Sequence, residues 1–143
     1  MSDEKMKIEL KGTGDDLTFI AKGNSGHWLV MDSAKQLQGN DGASRPMELI
    51  LQGLAGCTGM DVLSILHKKR IVLTNLEIEI EAERALEHPK VFTKIDILYK
   101  FWGNNLTESA VQRAIELSET KYCSVSAMLR STAIITSSFL INP

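Results

Sequence analysis

From Pro46 to the basic run His67-Lys68-Lys69-Arg70 the chain is almost continuously apolar. Met47, Leu49, Ile50, Leu51, Leu54, Met60, Val62, Leu63, Ile65 and Leu66 fall on nearly every side of a helical wheel. A helix patterned this way has almost no polar stripe, so it is expected to be surrounded on most sides and to form the centre of the fold. Proline suits a first helical turn and basic residues suit the negative end of the helix dipole, which sets the limits at about residues 46 and 69. Glu48, Gln52 and Asp61 interrupt the run, and ionisable groups at bilayer depth are costly, so the segment reads as a core helix rather than a membrane span. Pro46 holds Arg45 out of helical geometry and makes it the expected cap, leaving Ser44 one residue too early for a capping box with Glu48.

Gly53, Gly56 and Gly59 lie three apart on this helix, and each costs roughly 1 kcal/mol against alanine in a helix interior. Close backbone approach is the simplest compensation. A ridge of small residues, with Ala55 beside it, lets another helix or sheet pack tightly, and in a chain this small that neighbour can come from a second subunit.

The whole chain, 143 residues, is the size of one ordinary domain, and no repeat, low-complexity run or Pro/Ser-rich linker divides it, so residues 1–143 are read as a single domain. Three short strands are expected first, Lys5–Lys11, Leu17–Lys22 and His27–Asp32, with glycine-rich turns between them forming a β-meander. Residues 33–45 read as a polar loop. After the long helix, Asn75–Leu86 and Val91–Trp102 alternate with period two around the turn Glu87-His88-Pro89-Lys90, which predicts a hairpin with one wet face. Glu77, Glu79, Glu81 and Glu83 line that face on the first strand, and Lys94, Asp96 and Lys100 lie opposite Ile95 and Ile97 on the second. Thr107 caps a helix over about 108–120, with Val111, Ala114, Ile115 and Ser118 at helical spacing. Residues 132–141 end in a β-rich strand. The order is β-β-β-α-β-β-α-β, an α+β domain with the long helix against a mostly antiparallel sheet.

Sixteen basic residues against eighteen acidic ones give a net charge of −2, which offers no electrostatic footprint for nucleic acid or an anionic membrane. The start, MSDEKMKIELKGTG, is charged from residue 3 and lacks an apolar leader core, so the expected address is cytoplasmic. His27, His67 and His88 are dispersed and no HxxxH, HExxH or CxxC spacing occurs. No metal is therefore expected, and no glycine-rich nucleotide or GxSxG motif suggests another cofactor.

The chemistry that remains lies in two thiols, Cys57 in the middle of the long helix and Cys123 just past the second. Within disulfide reach, one can be oxidised by a peroxide to a sulfenic acid that the other resolves to a disulfide. The alternative is a pair of small buried hydrophobes. A peroxidatic cysteine needs a depressed pKa. Asp61, one turn after Cys57, opposes a thiolate if it faces the same way, while Lys121 and Arg130 flank Cys123 as either activating or merely solvated cations.

Pro46-Met47-Glu48-Leu49, the helix LILQGLAGCTGMDVLSIL and the later YCSVSAML occur in an order that resembles the OsmC/Ohr family, osmotically inducible protein C and the organic hydroperoxide resistance proteins. The match runs over nearly the whole chain. The resemblance implies an intertwined homodimer whose long helices pack centrally, with Cys57 as the peroxidatic thiol, Cys123 as the resolving thiol, and a dihydrolipoyl-type dithiol as reductant. In the peroxidases of this family a glutamate directly follows the proline that opens the helix. Met47 holds that position here, and Glu48 follows it, turned by about 100°. The family's activating arginine comes from the N-terminal strands, and residues 1–44 contain no arginine. Glu48, His27 and Arg45 are the candidate supporting groups. PMEL before the helix and GCxxxD within it resemble a less characterised branch.

Two functions follow as expectations. One is a thiol-dependent reductase of organic hydroperoxides acting in oxidative stress defence. The other is a binding protein, without turnover, that holds a small apolar or thiol-reactive ligand in the dimer groove around Cys57; a third, plainer possibility is a structural dimer with inert buried thiols.

Overall fold

The computed structural model describes residues 5–143; the charged start MSDE, on which part of the no-leader expectation falls, lies outside the described residues. The chain divides into two compact units, Met1–Ile50 and Leu51–Pro143.

The first unit holds the expected meander: β1 (Glu9–Gly12), β2 (Phe19–Lys22) and β3 (Trp28–Met31), paired antiparallel in that order. Each strand is shorter than its apolar and β-branched stretch suggested. Residues 33–45 form a loop with one 3-10 turn, Lys35–Leu37, gathered around a single buried carboxylate. Asp32 accepts from the backbone N–H of Ser33 at 2.7 Å, of Asn40 at 3.0 Å and of Gly42 at 3.0 Å, and from the Thr18 hydroxyl at 2.9 Å. The loop folds back so closely that a Cβ at Gly39 would lie 2.1 Å from the Ser33 carbonyl oxygen, so only glycine fits there.

Burial opposes ionisation of Asp32, but the amides of Asn40, Ser33 and Gly42, helped by Thr18, overcome it and hold the carboxyl at about 2. A carboxyl lower in the folded state stabilises above its unfolded value, 3.8, and that stabilisation is lost as pH falls toward 2. Asp32→Asn is therefore expected to lower the melting temperature by several degrees at pH 7 and by distinctly less near pH 2.5. Equal losses at both pH values would contradict this account.

Helix α1 (Pro46–Lys68) matches the expected limits within a residue. At its start Glu48 Oε1 reaches back to accept from Arg45 N–H at 2.9 Å, so the half of the capping box that needs no serine is formed. At its end Arg70 turns left-handed, with φ 59°. Arg70 N–H then bonds to His67 O at 2.9 Å and Ile71 N–H to Leu66 O at 3.0 Å, the paired bonds of a Schellman stop without glycine.

In the second unit β4 (Leu73–Arg84) and β5 (Phe92–Gly103) form the predicted hairpin, its turn containing a cis His88–Pro89 bond. Phe92, Ile95, Ile97, Tyr99 and Phe101 of β5 are buried, and the glutamates of β4 are exposed with Lys100 bonded to Glu79 at 2.7 Å, so the period-two reading holds. Helix α2 (Glu108–Leu117) is capped by Thr107, whose Oγ1 accepts from Ala110 N–H at 3.2 Å.

Three features depart from expectation. The last strand, β6 (Ile134–Ile141), pairs with β5 in parallel, not antiparallel. The chain leaves β5 and returns through helices, and such a crossover delivers the next strand in the same direction. The second helix does not run on to residue 120: a π-helical turn, Ser118–Tyr122, follows α2, and a further short helix, α3 (Ser124–Leu129), starts directly after Cys123. Finally, α1 buries only the stripe Leu54, Thr58, Val62 and Leu66, and Met60 is 75% exposed. Of the three glycines, Gly59 alone abuts a neighbour, Ile78 of β4. Among the described residues nothing lies within 4 Å of a Cβ built at Gly53 or Gly56.

Candidate functional site

Four apolar-stripe positions on α1 point into the second unit, and one of them is a threonine. Thr58 is 1% exposed, and its Oγ1 lies 2.7 Å from the Tyr99 hydroxyl and 2.9 Å from Ser118 Oγ. Ser118 Oγ in turn donates to Asp61 Oδ2 at 3.0 Å. Each hydroxyl has one proton to give, so the carboxylate at the end fixes the direction of the whole chain: Tyr99 donates to Thr58, Thr58 to Ser118, Ser118 to Asp61. Burial pushes the Tyr99 phenol well above its ordinary value, which keeps it protonated as the first donor. Four buried or half-buried polar side chains from α1, β5 and the π turn are thereby satisfied inside an apolar core.

Asp61 is one helical turn from Cys57 and faces the same way. Cys57 Sγ, Cys123 Sγ and an Asp61 carboxylate oxygen all lie within 4.8 Å of one another. The two sulfurs, 66 residues apart in the chain, are thus neighbours, and both are free thiols. The π turn brings this about: Cys123 N–H bonds to Ser118 O at 2.7 Å, ending the turn and placing Cys123 as the cap of α3. Cys123 Sγ accepts from Ser126 N–H at 3.4 Å, and the Val125 amide donates to Cys57.

The electrostatics oppose easy ionisation. Burial pushes the Cys57 thiol up first, and its contact with Cys123 and the charge of Asp61 add to this; the Val125 amide pulls the other way without overcoming them. The two cations flanking Cys123 do not serve as activators: Lys121 lies over the exposed Tyr122 ring at 5.2 Å, and Arg130 Nη1 donates to the Glu119 carbonyl. Glu119 Oε1, from the same turn, is buried without a partner.

The other candidates belong to the first unit, where each has its own setting. Glu48 caps α1; the Arg45 guanidinium pairs with Asp41 and donates to Ala43 O at 3.0 Å; His27 is exposed beside β3. Thr58, Tyr99 and the role of Ser118 escaped the sequence reading, although a lone tyrosine on the inward face of β5 and a lone threonine in the α1 stripe were visible signs. Cys57, Asp61 and Cys123 are also the donors among the described residues that could hold a thiophilic divalent ion, although no sequence spacing announced such a set.

Compared with known proteins, the chain matches OsmC, described as OsmC-like protein, over residues 39–138. Protein YhfA of Escherichia coli K12 is 39% identical over 125 residues, which covers 87% of this chain and 90% of YhfA. A crystal structure of a protein from Aquifex aeolicus VF5 has a TM-score of 0.79 at 30% identity, covering 98% of this chain and 99% of that one. An organic hydroperoxide resistance protein OsmC from Legionella pneumophila, described as a predicted redox protein, has a TM-score of 0.68 at 16% identity over 97% of this chain and 98% of its own, a likeness of fold.

Proposed function

We propose that this chain, which belongs to the OsmC-like protein family, is a thiol-dependent reductase of organic hydroperoxides acting through Cys57 and Cys123 in defence against oxidative stress. The observation that carries the reading is the meeting of two free thiols from distant parts of the chain within 4.8 Å, with a backbone amide directed at each. In the cycle the Cys57 thiolate attacks one peroxide oxygen. The O–O bond breaks, an alcohol leaves, and Cys57 becomes a sulfenic acid. Cys123 then displaces the hydroxyl as water and forms the disulfide, which a dithiol of the dihydrolipoyl type reduces back to two thiols while closing its own disulfide. Glu48, His27 and Arg45 are proposed as supporting groups, in a cytoplasmic homodimer made of one domain per chain. The uncovered glycines of α1 support the dimer.

The test is consumption of cumene hydroperoxide with dihydrolipoamide as donor. Because Cys57 is held above the ordinary thiol value, the second-order rate is expected to rise about tenfold per pH unit through neutrality and to keep rising past about pH 8.5. Absence of turnover over the whole range removes the enzyme reading.

One observation favours a second reading, a binding protein for a small apolar ligand: a groove that starts at Gly56, the chain neighbour of Cys57, is lined by Gly59, Met60, Leu63, Leu73 and Leu76 together with the polar His67, Thr74 and Asn75. Native mass spectrometry of the gently purified protein separates the two, since a ligand-free protein with fast thiol oxidation excludes the second.

A further inference from the structure

Closing a disulfide from a sulfenic acid and a thiol requires a proton to leave one sulfur and a hydroxyl to leave the other, and both events here occur in a half-buried site. The groups around Asp61 are Cys57 and Lys68 of its own helix, Glu119 and Tyr122 of the π turn, Cys123, and Tyr99 of β5. Lys68 and Tyr122 line a small surface cleft with Asp61, away from the sulfurs. Tyr99 is committed as a donor to Thr58. Glu119 has its buried oxygen unpartnered and does not join the thiol cluster. Asp61 remains as the carboxylate that lies within 4.8 Å of both sulfurs.

We infer that Asp61 is the proton relay of the thiol pair: it takes the proton of Cys123 as the S–S bond forms and delivers it to the hydroxyl leaving Cys57. This rests on the proposed redox function. The step balances: the Cys123 sulfur supplies the electron pair of the new S–S bond, the S–O bond of the Cys57 sulfenic acid breaks, and hydroxide plus the relayed proton gives water. In reduction by a dithiol, Asp61 takes the proton of the attacking donor thiol and passes it to the Cys123 thiolate as that sulfur is released.

The hydroxyl chain explains why this carboxylate can do the work. Ser118 holds Oδ2 with a single directed bond, and that donor is itself bonded to Thr58, which bonds to Tyr99, so the network orients the carboxylate beside the sulfurs. The cleft bordered by Ser64, Ile65, Lys68 and Tyr122 connects Asp61 to solvent, through which its protonation state is restored between turnovers. The same charge hinders the first step, because a carboxylate beside Cys57 opposes its thiolate. Asp61 thus trades a slower attack on the oxidant for a faster closure, and the two effects can be measured apart.

The experiment compares wild type with Asp61→Asn, a change that keeps the acceptor for Ser118. Cys57 oxidation is initiated with cumene hydroperoxide, and dimedone trapping with intact-mass analysis follows the sulfenic acid; in a second arm diamide adds to one thiol and is expelled by the other as its hydrazine, so that closure without a sulfenic acid reads the loss of the Cys123 proton alone. Expected are a modestly faster first oxidation of Cys57 and disulfide closure slower by about a hundredfold. A purely structural role slows both steps together; that result, or closure at the wild-type rate, overturns the inference. If Asp61→Asn loses its circular dichroism signature, Ser118→Ala carries the test: disulfide closure slows while the first oxidation of Cys57 does not, and closure at the wild-type rate overturns the proposal. Slow diamide closure in Asp61→Asn, in a protein that consumes no hydroperoxide, sinks the peroxidase reading and leaves Asp61 standing as the acceptor of the Cys123 proton. Active turnover with unaltered closure does the reverse, and failure of diamide to link the native thiols ends both.

Discussion

Cys57→Ser is expected to abolish hydroperoxide consumption, lowering the steady-state rate by roughly three orders of magnitude to the background of the dithiol alone. A serine hydroxyl is not ionised near neutrality and cannot hold the transferred oxygen as a sulfenic acid, so the loss is chemical rather than structural. Cys57 is only half-buried, and serine differs by one atom, so the melting temperature should stay close to that of wild type. Cys123→Ser is expected to behave differently. One equivalent of peroxide is still consumed, at nearly the wild-type rate, and the Cys57 sulfenic acid then accumulates because no second sulfur closes on it. Stopped-flow peroxide consumption with dimedone trapping distinguishes the two variants. A Cys57→Ser protein retaining a third or more of wild-type turnover would remove this thiol from the chemistry, and equal single-turnover losses in both variants would mean that the assignment of attacking and resolving roles is wrong.

That the two thiols meet was legible only as a condition. Their separation in sequence is spanned by β4, β5 and α2, and nothing in residue order alone brings Cys123 back to the middle of α1. The meander, the hairpin and the long helix were readable because each has its own period and its own punctuation: Pro46 and the basic end for α1, alternation for β4 and β5, Thr107 for α2. The π turn was not. Ser118-Glu119-Thr120-Lys121-Tyr122 has ordinary helical composition, and what widens it is a tertiary requirement, Ser118 bonding to Asp61 and Thr58 on one helix while its carbonyl accepts from Cys123. For the same reason α3 was missed: six residues are too few to show a helical period, and their start is capped by a cysteine sulfur, which no capping rule would select. The parallel β6 follows from the same element, since the path through α2, the π turn and α3 returns the chain to the β5 edge in the same direction. At the site, Asp61 was visible as a charge one turn from Cys57, but its facing and its tie to Ser118 depend on packing. The lack of an arginine in residues 1–44 carried meaning only through the family resemblance, whereas what pushes the Cys57 thiol up is burial, with Cys123 and Asp61 adding to it, and of these the sequence showed Asp61 alone.

Phe101→Ala is expected to have the largest effect on stability, about 3–5 kcal/mol, which for a chain of this length lowers the melting temperature by roughly 10–15 °C. Phe101 lies on β5, the middle strand of its sheet, is 0% exposed, and pairs with Leu76 on one side and Ile141 on the other. Its ring stacks on Tyr99 with centroids 6.1 Å apart and planes 13° apart. Removing it leaves a cavity on the packed face of the sheet, and the strands cannot shift to close it because β4 and β6 are both tied to β5 along its length. Glu83→Ala, on the exposed face of the same hairpin, should change stability by no more than about 0.5 kcal/mol, and urea unfolding of the two variants side by side provides the comparison. A loss under about 1 kcal/mol in Phe101→Ala would mean that this ring is not the packing centre of the second unit. The effect should also reach the thiols. Tyr99 heads the hydroxyl chain that holds Asp61, and without its stacking neighbour the phenol is freer to leave Thr58, so disulfide closure in Phe101→Ala should slow even at temperatures where the protein remains folded. Cys57 is reached by that chain only through Asp61. Its first reaction with peroxide should therefore change little, which makes the closure step the sensitive gauge of how firmly the sheet holds the site.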